Sequence, residues 1–147
     1  YMAANEPHAY LFGECVEVMA TSDNVVRAGL TPKFRDVDVL CDMLTYELGA
    51  PTILAGDAID ACTKRYVPPF DEFALDVVSC APGAALGVPA RVGPSIWIIS
   101  RGSATFNGTP VRPGAVVFVE NQEPVNIIVD DDDDGDGFHA YACAPNV

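Results

Sequence analysis

At 147 residues, half of them apolar and one fifth charged, the chain has the composition of a folded globular protein with material for one full core and a fraction of another. Eight Lys and Arg against 21 Asp and Glu give a formal net charge of −13, which excludes nucleic acid and anionic membrane surfaces as partners, since both carry charge of the same sign. No apolar run approaches the roughly 18–20 residues that span a bilayer, and no basic segment leading into an apolar one opens the chain, so a cytoplasmic address is expected.

In chain order, residues 1–35 contain strand-like runs at 9–12 and 15–19, turn chemistry at 21–24 and a further short run at 25–28. This piece is too short to close a core by itself. Residues 36–48 place Val37, Leu40, Cys41, Leu44 and Leu48 at helical spacing behind Asp36 as an N-cap. With Gly49 and Pro51 as stop signals, they predict one helix of about three turns. Residues 50–68 mix Gly, Pro and small side chains and run into Pro68-Pro69, a linker wrapped over a surface. The organisation read from this is 1–35, then helix and linker over 36–69, then 70–147.

From Phe70 onward the rhythm is all-β, with strands expected at 73–80, 90–92, 95–100, 104–106, 115–120, 125–129 and 138–143. Pro82-Gly83, Arg101-Gly102, Asn107-Gly108 and Pro113-Gly114 separate them, and Asn-Gly favours a type I′ hairpin. Short, evenly spaced strands of this kind make a sandwich or barrel.

Cys15, Cys41, Cys62, Cys80 and Cys143 are odd in number, widely spaced and never in a Cys-x-x-Cys pair, which reads as reduced apolar side chains and agrees with the cytosol. The run from Asp130 to Gly137 starts like a calcium-binding EF-hand loop. It then places Tyr141 where a bidentate glutamate is required, between strands rather than helices, so it reads as a solvated acidic loop supplying six of the 21 carboxylates.

The chemistry-bearing residues gather near the start. His8, Glu14, Glu17, Asp23, Arg27 and Lys33 fall within twenty-six positions, with Tyr10 and Arg35 among them, a mix suited to an anionic, oxygen-rich ligand beside a metal ion. By itself a single histidine is more often a satisfied surface or core side chain, and the plainer alternative for Arg27 is an exposed residue on a strand beside a turn. A catalytic zinc takes about three or four protein ligands and keeps one position open. With only His8 and His139 available, and His139 in the alternating pattern of the last strand, the chain does not assemble such a site alone.

The stretch NEPHAYLFGECVEVMATSDNVVRAGLTPKF, Asn5 to Phe34, is similar almost residue for residue to the segment of type I mannose-6-phosphate isomerases that carries their last zinc ligand and catalytic arginine, with weaker similarity over 36–46. In the later half Ile96-Trp97-Ile98-Ile99, Gly102, Ala104-Thr105-Phe106-Asn107-Gly108, Pro113-Gly114 and Val116-Val117-Phe118-Val119 resemble the small jelly roll called a cupin. Val116, Val117 and Phe118 stand where metal-binding cupins carry a histidine. The resemblance implies a mainly β chain: a metal-free cupin/jelly-roll C-terminal domain at 70–147, preceded by the last strands of a catalytic zinc cupin at 1–35 and one connecting helix.

It further implies one zinc ion with His8 as a ligand, the other ligands lying in a missing N-terminal region of the same enzyme, and Arg27 as the catalytic guanidinium. Tyr10, Glu17, Asp23 and Lys33 are then candidates for substrate binding or proton transfer. The implied reaction interconverts mannose-6-phosphate and fructose-6-phosphate through an enediol, feeding GDP-mannose synthesis, with this chain inactive by itself. Two other readings stand beside it: a sugar-phosphate binding module using Arg27 and Lys33 without metal, and a truncated structural remnant serving as scaffold or oligomerisation surface.

Overall fold

Three residues after Lys33, Asp36 accepts a hydrogen bond from the Val39 amide at 3.1 Å and starts the one helix seen among the described residues, α1 (Val37–Met43). The computed structural model describes residues 1–147 except Asp23 and residues 132–136. It divides into two compact units, Tyr1–Ile53 and Leu54–Val147.

In the first unit, α1 has seven residues, two turns where three were expected. It buries none of its side chains, and helices this short draw their stability from tertiary burial rather than propensity. The carbonyl of Cys41, which a further turn would use, accepts instead from the Tyr46 hydroxyl at 2.8 Å, and Tyr46 itself sits at φ 55°. The expected strands at 9–12, 15–19 and 25–28 are absent among the described residues. Their residues are β-formers, but a strand exists only as a member of a ladder, and no partner strand lies within this unit. No described residue of 1–53 is buried, and Leu11, Phe12, Leu30 and Phe34 are exposed.

The second unit contains β1 (Asp57–Ala58), β2 (Thr63–Tyr66), β3 (Ala74–Cys80), β4 (Ala85–Val88), β5 (Ser95–Arg101), β6 (Ala104–Phe106), β7 (Thr109–Val111), β8 (Val116–Val119), β9 (Val125–Val129) and β10 (Phe138–Ala144). They form two antiparallel sheets, one ordered β1-β2-β3-β10-β5-β8 and one ordered β4-β9-β6-β7. Within these, β3-β10-β5-β8 faces β4-β9-β6-β7, which is the strand order of an eight-stranded jelly roll, and β1 and β2 extend its larger sheet.

Three sequence expectations change here. Residues 57–66, read as linker, supply β1 and β2. The strand expected at 90–92 forms earlier, at 85–88, where Leu86 enters the core and Pro89, which has no N–H to donate, ends the pairing. The three-residue strand β7, with Pro110 at its centre, had no run long enough to announce it.

The turn chemistry is as expected at Asn107-Gly108, where both residues take positive φ (44° and 79°), the signature of a type I′ hairpin, here joining β6 to β7. Alternation does the rest. β3 and β10 bury every second residue, and Val78, Trp97, Ile99, Phe106, Ile127 and Phe138 meet between the sheets. Trp97 of one sheet meets Phe106 of the other edge to face at 5.3 Å, while its indole N–H donates to the Ser95 hydroxyl at 3.0 Å.

Candidate functional site

Pro7 leads the chain into His8, whose Nδ1 lies 3.0 Å from the Glu6 carbonyl oxygen. A carbonyl only accepts, so the hydrogen of this bond belongs to Nδ1, and the neutral ring keeps its lone pair on Nε2, facing away from the backbone. Histidines that bind metals are oriented in this way. The imidazole stands edge to face with the Tyr10 ring at 6.0 Å, and the Tyr10 hydroxyl donates to Glu17 Oε1 at 2.6 Å. That bond, then burial and the charge of Glu17, push the phenol up to about 12, so it remains a donor throughout the neutral range.

His8, Tyr10 and Glu17 are thus brought together. Arg27 and Lys33 are exposed, and no hydrogen bond or ion pair joins either side chain to that trio among the described residues. Near them, the Lys33 amide donates to the Thr31 hydroxyl at 3.2 Å and Arg35 Nη1 to the Gly29 carbonyl at 3.3 Å, tying the chain after Arg27 into a local loop. Glu14 is exposed. Asp23 lies outside the described residues.

The zinc reading meets a partial fit. His8 offers one suitably oriented nitrogen, but no group of three or more His, Cys, Asp or Glu gathers among the described residues. A closed or catalytic zinc site needs more donors than the described residues bring together.

Sequence reasoning missed two arrangements. The first is the Tyr10 to Glu17 bond, which spans seven positions with no element to predict it. The second is a buried charge cluster at Asp76, which is 2% exposed on β3 and held by Arg65 and Arg91. An aspartate on the inward phase of the alternating run Ala74-Leu75-Asp76-Val77-Val78 was a legible signal, because a carboxylate placed there requires cationic partners.

No protein-family model matches the chain. Among curated proteins it is 47% identical over 131 residues to mannose-6-phosphate isomerase 1 of Arabidopsis thaliana, covering 86% of this chain and 30% of that protein. It is 46% identical over 136 residues to mannose-6-phosphate isomerase 2 of the same plant, covering 90% and 31%. Among solved structures, a mutant of phosphomannose isomerase from Salmonella typhimurium superposes with a TM-score of 0.70 at 22% identity, over 87% of this chain and 32% of that one, a likeness of fold. The chain spans about a third of the length of the curated relatives it matches. In sequence it is similar to the mannose-6-phosphate isomerases, over a segment of them.

Proposed function

We propose that this chain is the C-terminal part of a zinc-dependent mannose-6-phosphate isomerase, active only together with a region outside these residues. The observation that carries the reading is the 46–47% identity to proteins of that name over 86–90% of the chain.

The reaction moves a proton. The proton on C2 of the aldose leaves, its electron pair enters the C1–C2 enediol, the C1 carbonyl oxygen becomes a hydroxyl, and a proton returns to C1 as the C2 oxygen becomes the ketone carbonyl. Negative charge develops on the sugar oxygens, and the Arg27 guanidinium, always protonated, donates to the oxygen that carries it. Arg27 is no base for the same reason. Glu17 is the favoured proton carrier: the Tyr10 hydroxyl occupies Oε1 and orients the carboxylate, leaving Oε2 for the substrate. Lys33 meets the phosphate as a mobile point charge. Zinc, when bound, supplies Lewis-acid polarisation of a sugar oxygen, and His8 Nε2 is the ligand this chain contributes. A cytoplasmic address, supported by five free thiols, and a role in supplying GDP-mannose synthesis belong to the same proposal.

The test compares zinc content and fructose-6-phosphate formation for this chain, for its longer natural parent, and for the parent carrying His8→Ala. Zinc and turnover in the parent, both lost on the substitution, are expected. A parent with neither would overturn the isomerase reading and leave metal-independent sugar-phosphate binding by Arg27 and Lys33.

A further inference from the structure

Asn107 is the one asparagine of this chain that is followed by glycine. Asparagine is thermolabile because its side-chain amide can be lost, and a following glycine, having no Cβ, leaves the next backbone nitrogen unshielded for that reaction.

In the jelly roll the side chain is held at both ends. Nδ2 donates to the Pro124 carbonyl at 3.0 Å, Oδ1 accepts from the Asn126 amide at 2.7 Å, and the Asn107 backbone amide donates to the Asn126 carbonyl at 2.9 Å. All three partner atoms lie at the start of β9. The smaller sheet runs β4-β9-β6-β7, so the carboxamide reaches to one side of β6 while Gly108 turns the chain to the other side, into β7.

We propose that Asn107 is a deamidation site held shut by β9, so that opening of this corner of the jelly roll is recorded as a permanent chemical change. The step is intramolecular. The Gly108 nitrogen bonds to Asn107 Cγ, the Cγ–Nδ2 bond breaks, and Nδ2 departs as ammonia with the proton that the Gly108 nitrogen gives up. One water then opens the five-membered imide at either carbonyl, leaving aspartate or isoaspartate.

Closing that ring requires the carboxamide to swing back onto its own C-terminal peptide. In the fold both bonds to β9 must break first, since the departing nitrogen and the oxygen are each engaged. Their partners are main-chain atoms, so no side-chain rotation on β9 releases them, and the strand itself must lift. Val125, 3% exposed between the two holding residues, anchors that stretch in the core. Because the reaction stays within one hairpin, it depends on this local opening and not on what else covers the surface.

The product cannot restore the old arrangement. A carboxylate has no hydrogen to give the Pro124 carbonyl, and isoaspartate adds a methylene to the backbone of a two-residue turn. A chain that has opened here is thereby marked, and its hairpin closes less well afterwards.

The experiment keeps the full chain at neutral pH, folded or in urea above its unfolding transition, and follows the Asn107 peptide by mass spectrometry and isoaspartate content. Deamidation should be at least about tenfold slower in the folded chain, because only the opened fraction reacts. Gly108→Ala should suppress the reaction in the unfolded chain, which assigns it to this dipeptide. Val125→Ala should raise the folded rate several-fold. Val78→Ala removes the same two methyl groups from β3 of the other sheet and should raise it less. Trp97 fluorescence reports that each variant is folded. Independently of any variant, the rate in the unaltered chain should begin to rise at urea concentrations below those that change Trp97. Equal rates in the folded and unfolded chain, equal effects of the two valine substitutions, or a rate that rises only with the Trp97 transition would each overturn the proposal.

Discussion

Arg65 and Asp76 stand directly opposite one another on β2 and β3, and the guanidinium forks onto both carboxylate oxygens, Nε to Oδ1 at 2.7 Å and Nη2 to Oδ2 at 2.8 Å. Arg91 adds Nη1 to Oδ2 at 3.0 Å. The two arginines respond in opposite directions. The hydrogen bonds to Asp76 raise Arg65 above the usual guanidinium range, while burial lowers Arg91, partly offset by the Asp76 charge. One nearly buried carboxylate therefore compensates two cations whose side chains are about a quarter exposed.

Asp76→Ala should accordingly cost about 3 kcal/mol, at the low end of the range for breaking a buried ion pair because the arginines keep some water. Arg65→Ala should cost less, since Arg91 still satisfies Oδ2. Urea unfolding followed through Trp97, the single tryptophan of the chain and a residue of this unit, measures both. An Asp76→Ala variant as stable as Arg65→Ala would contradict this order.

Gly137 and Gly108 both have positive φ, 67° and 79°, yet they should respond differently to alanine. At Gly108 a Cβ meets nothing within 4 Å, so only the left-handed backbone penalty applies, about 1 kcal/mol. At Gly137 the Cβ would overlap the carbonyl oxygen of Cys80, and backbone cannot swing aside as a flexible side chain does. Gly137→Ala should cost more than about 2 kcal/mol by the same urea assay, and equal costs at the two sites would refute the steric argument.

His139 sits on β10 with Nδ1 2.7 Å from the Ser100 hydroxyl and its ring edge to face with Tyr141 at 4.9 Å. Burial, and secondarily the charge of Arg101, hold it below the ordinary imidazole range near 6.5. A depressed folded pKa means that the associated stability is complete above the unfolded value of about 6.5 and is lost as pH falls through the folded one. The midpoint for thermal unfolding of this unit should therefore fall between pH 6.5 and more acidic values, and His139→Gln should flatten that slope. Because the chain has two histidines, NMR titration with His8→Ala as the assignment control reads His139 directly. A midpoint at or above 6.5 would rule the explanation out.

In the longer enzyme proposed above, Arg27→Ala should lower kcat by about 10²–10³-fold, the scale of losing one donor to a developing oxyanion, with Arg27→Lys only partly restoring it. Lys33→Ala should act mainly on KM for the phosphorylated sugar. Tyr10→Phe, which frees Glu17 Oε1, should move the pH profile of kcat as well as its height. Arg27→Ala with unaltered kcat would remove that residue from the chemistry.

The jelly roll was legible where a strand's two faces differ. β10 alternates inward Phe and Ala with outward His, Tyr and Cys, β3, β5 and β9 stand out as apolar, β-branched runs between turn signals, and Asn107-Gly108 announces its hairpin. β2 was missed because its inward phase is Thr63 and Arg65, polar residues that enter the unit only because Asp76 waits for the second of them. A pattern in one strand cannot reveal a partner eleven residues away. The runs around Tyr10 and Val16 were legible as β-formers and still made no strands, since ladder hydrogen bonds need a neighbouring strand that residues 1–53 do not supply. The proximity of His8, Tyr10 and Glu17 belongs to the same class: spacing placed them in one segment, and only the folded backbone shows which of the carboxylates the phenol reaches. The acidic run was read as a solvated loop, and its centre, residues 132–136, lies outside the described residues.

The position of β10 between β3 and β5 has a consequence for biosynthesis. β3 and β5 never touch each other as ladder partners, and only residues 138–144 join them. While a ribosome is still adding residues before Phe138, the larger sheet is split into two parts, with Val78, Trp97 and Ile99 unprotected from water and from neighbouring nascent chains. Folding of this unit thus waits, in its decisive step, on a long-range strand insertion of the slow, aggregation-exposed kind. A chain released one strand early would be a client for chaperones rather than a smaller version of the same domain.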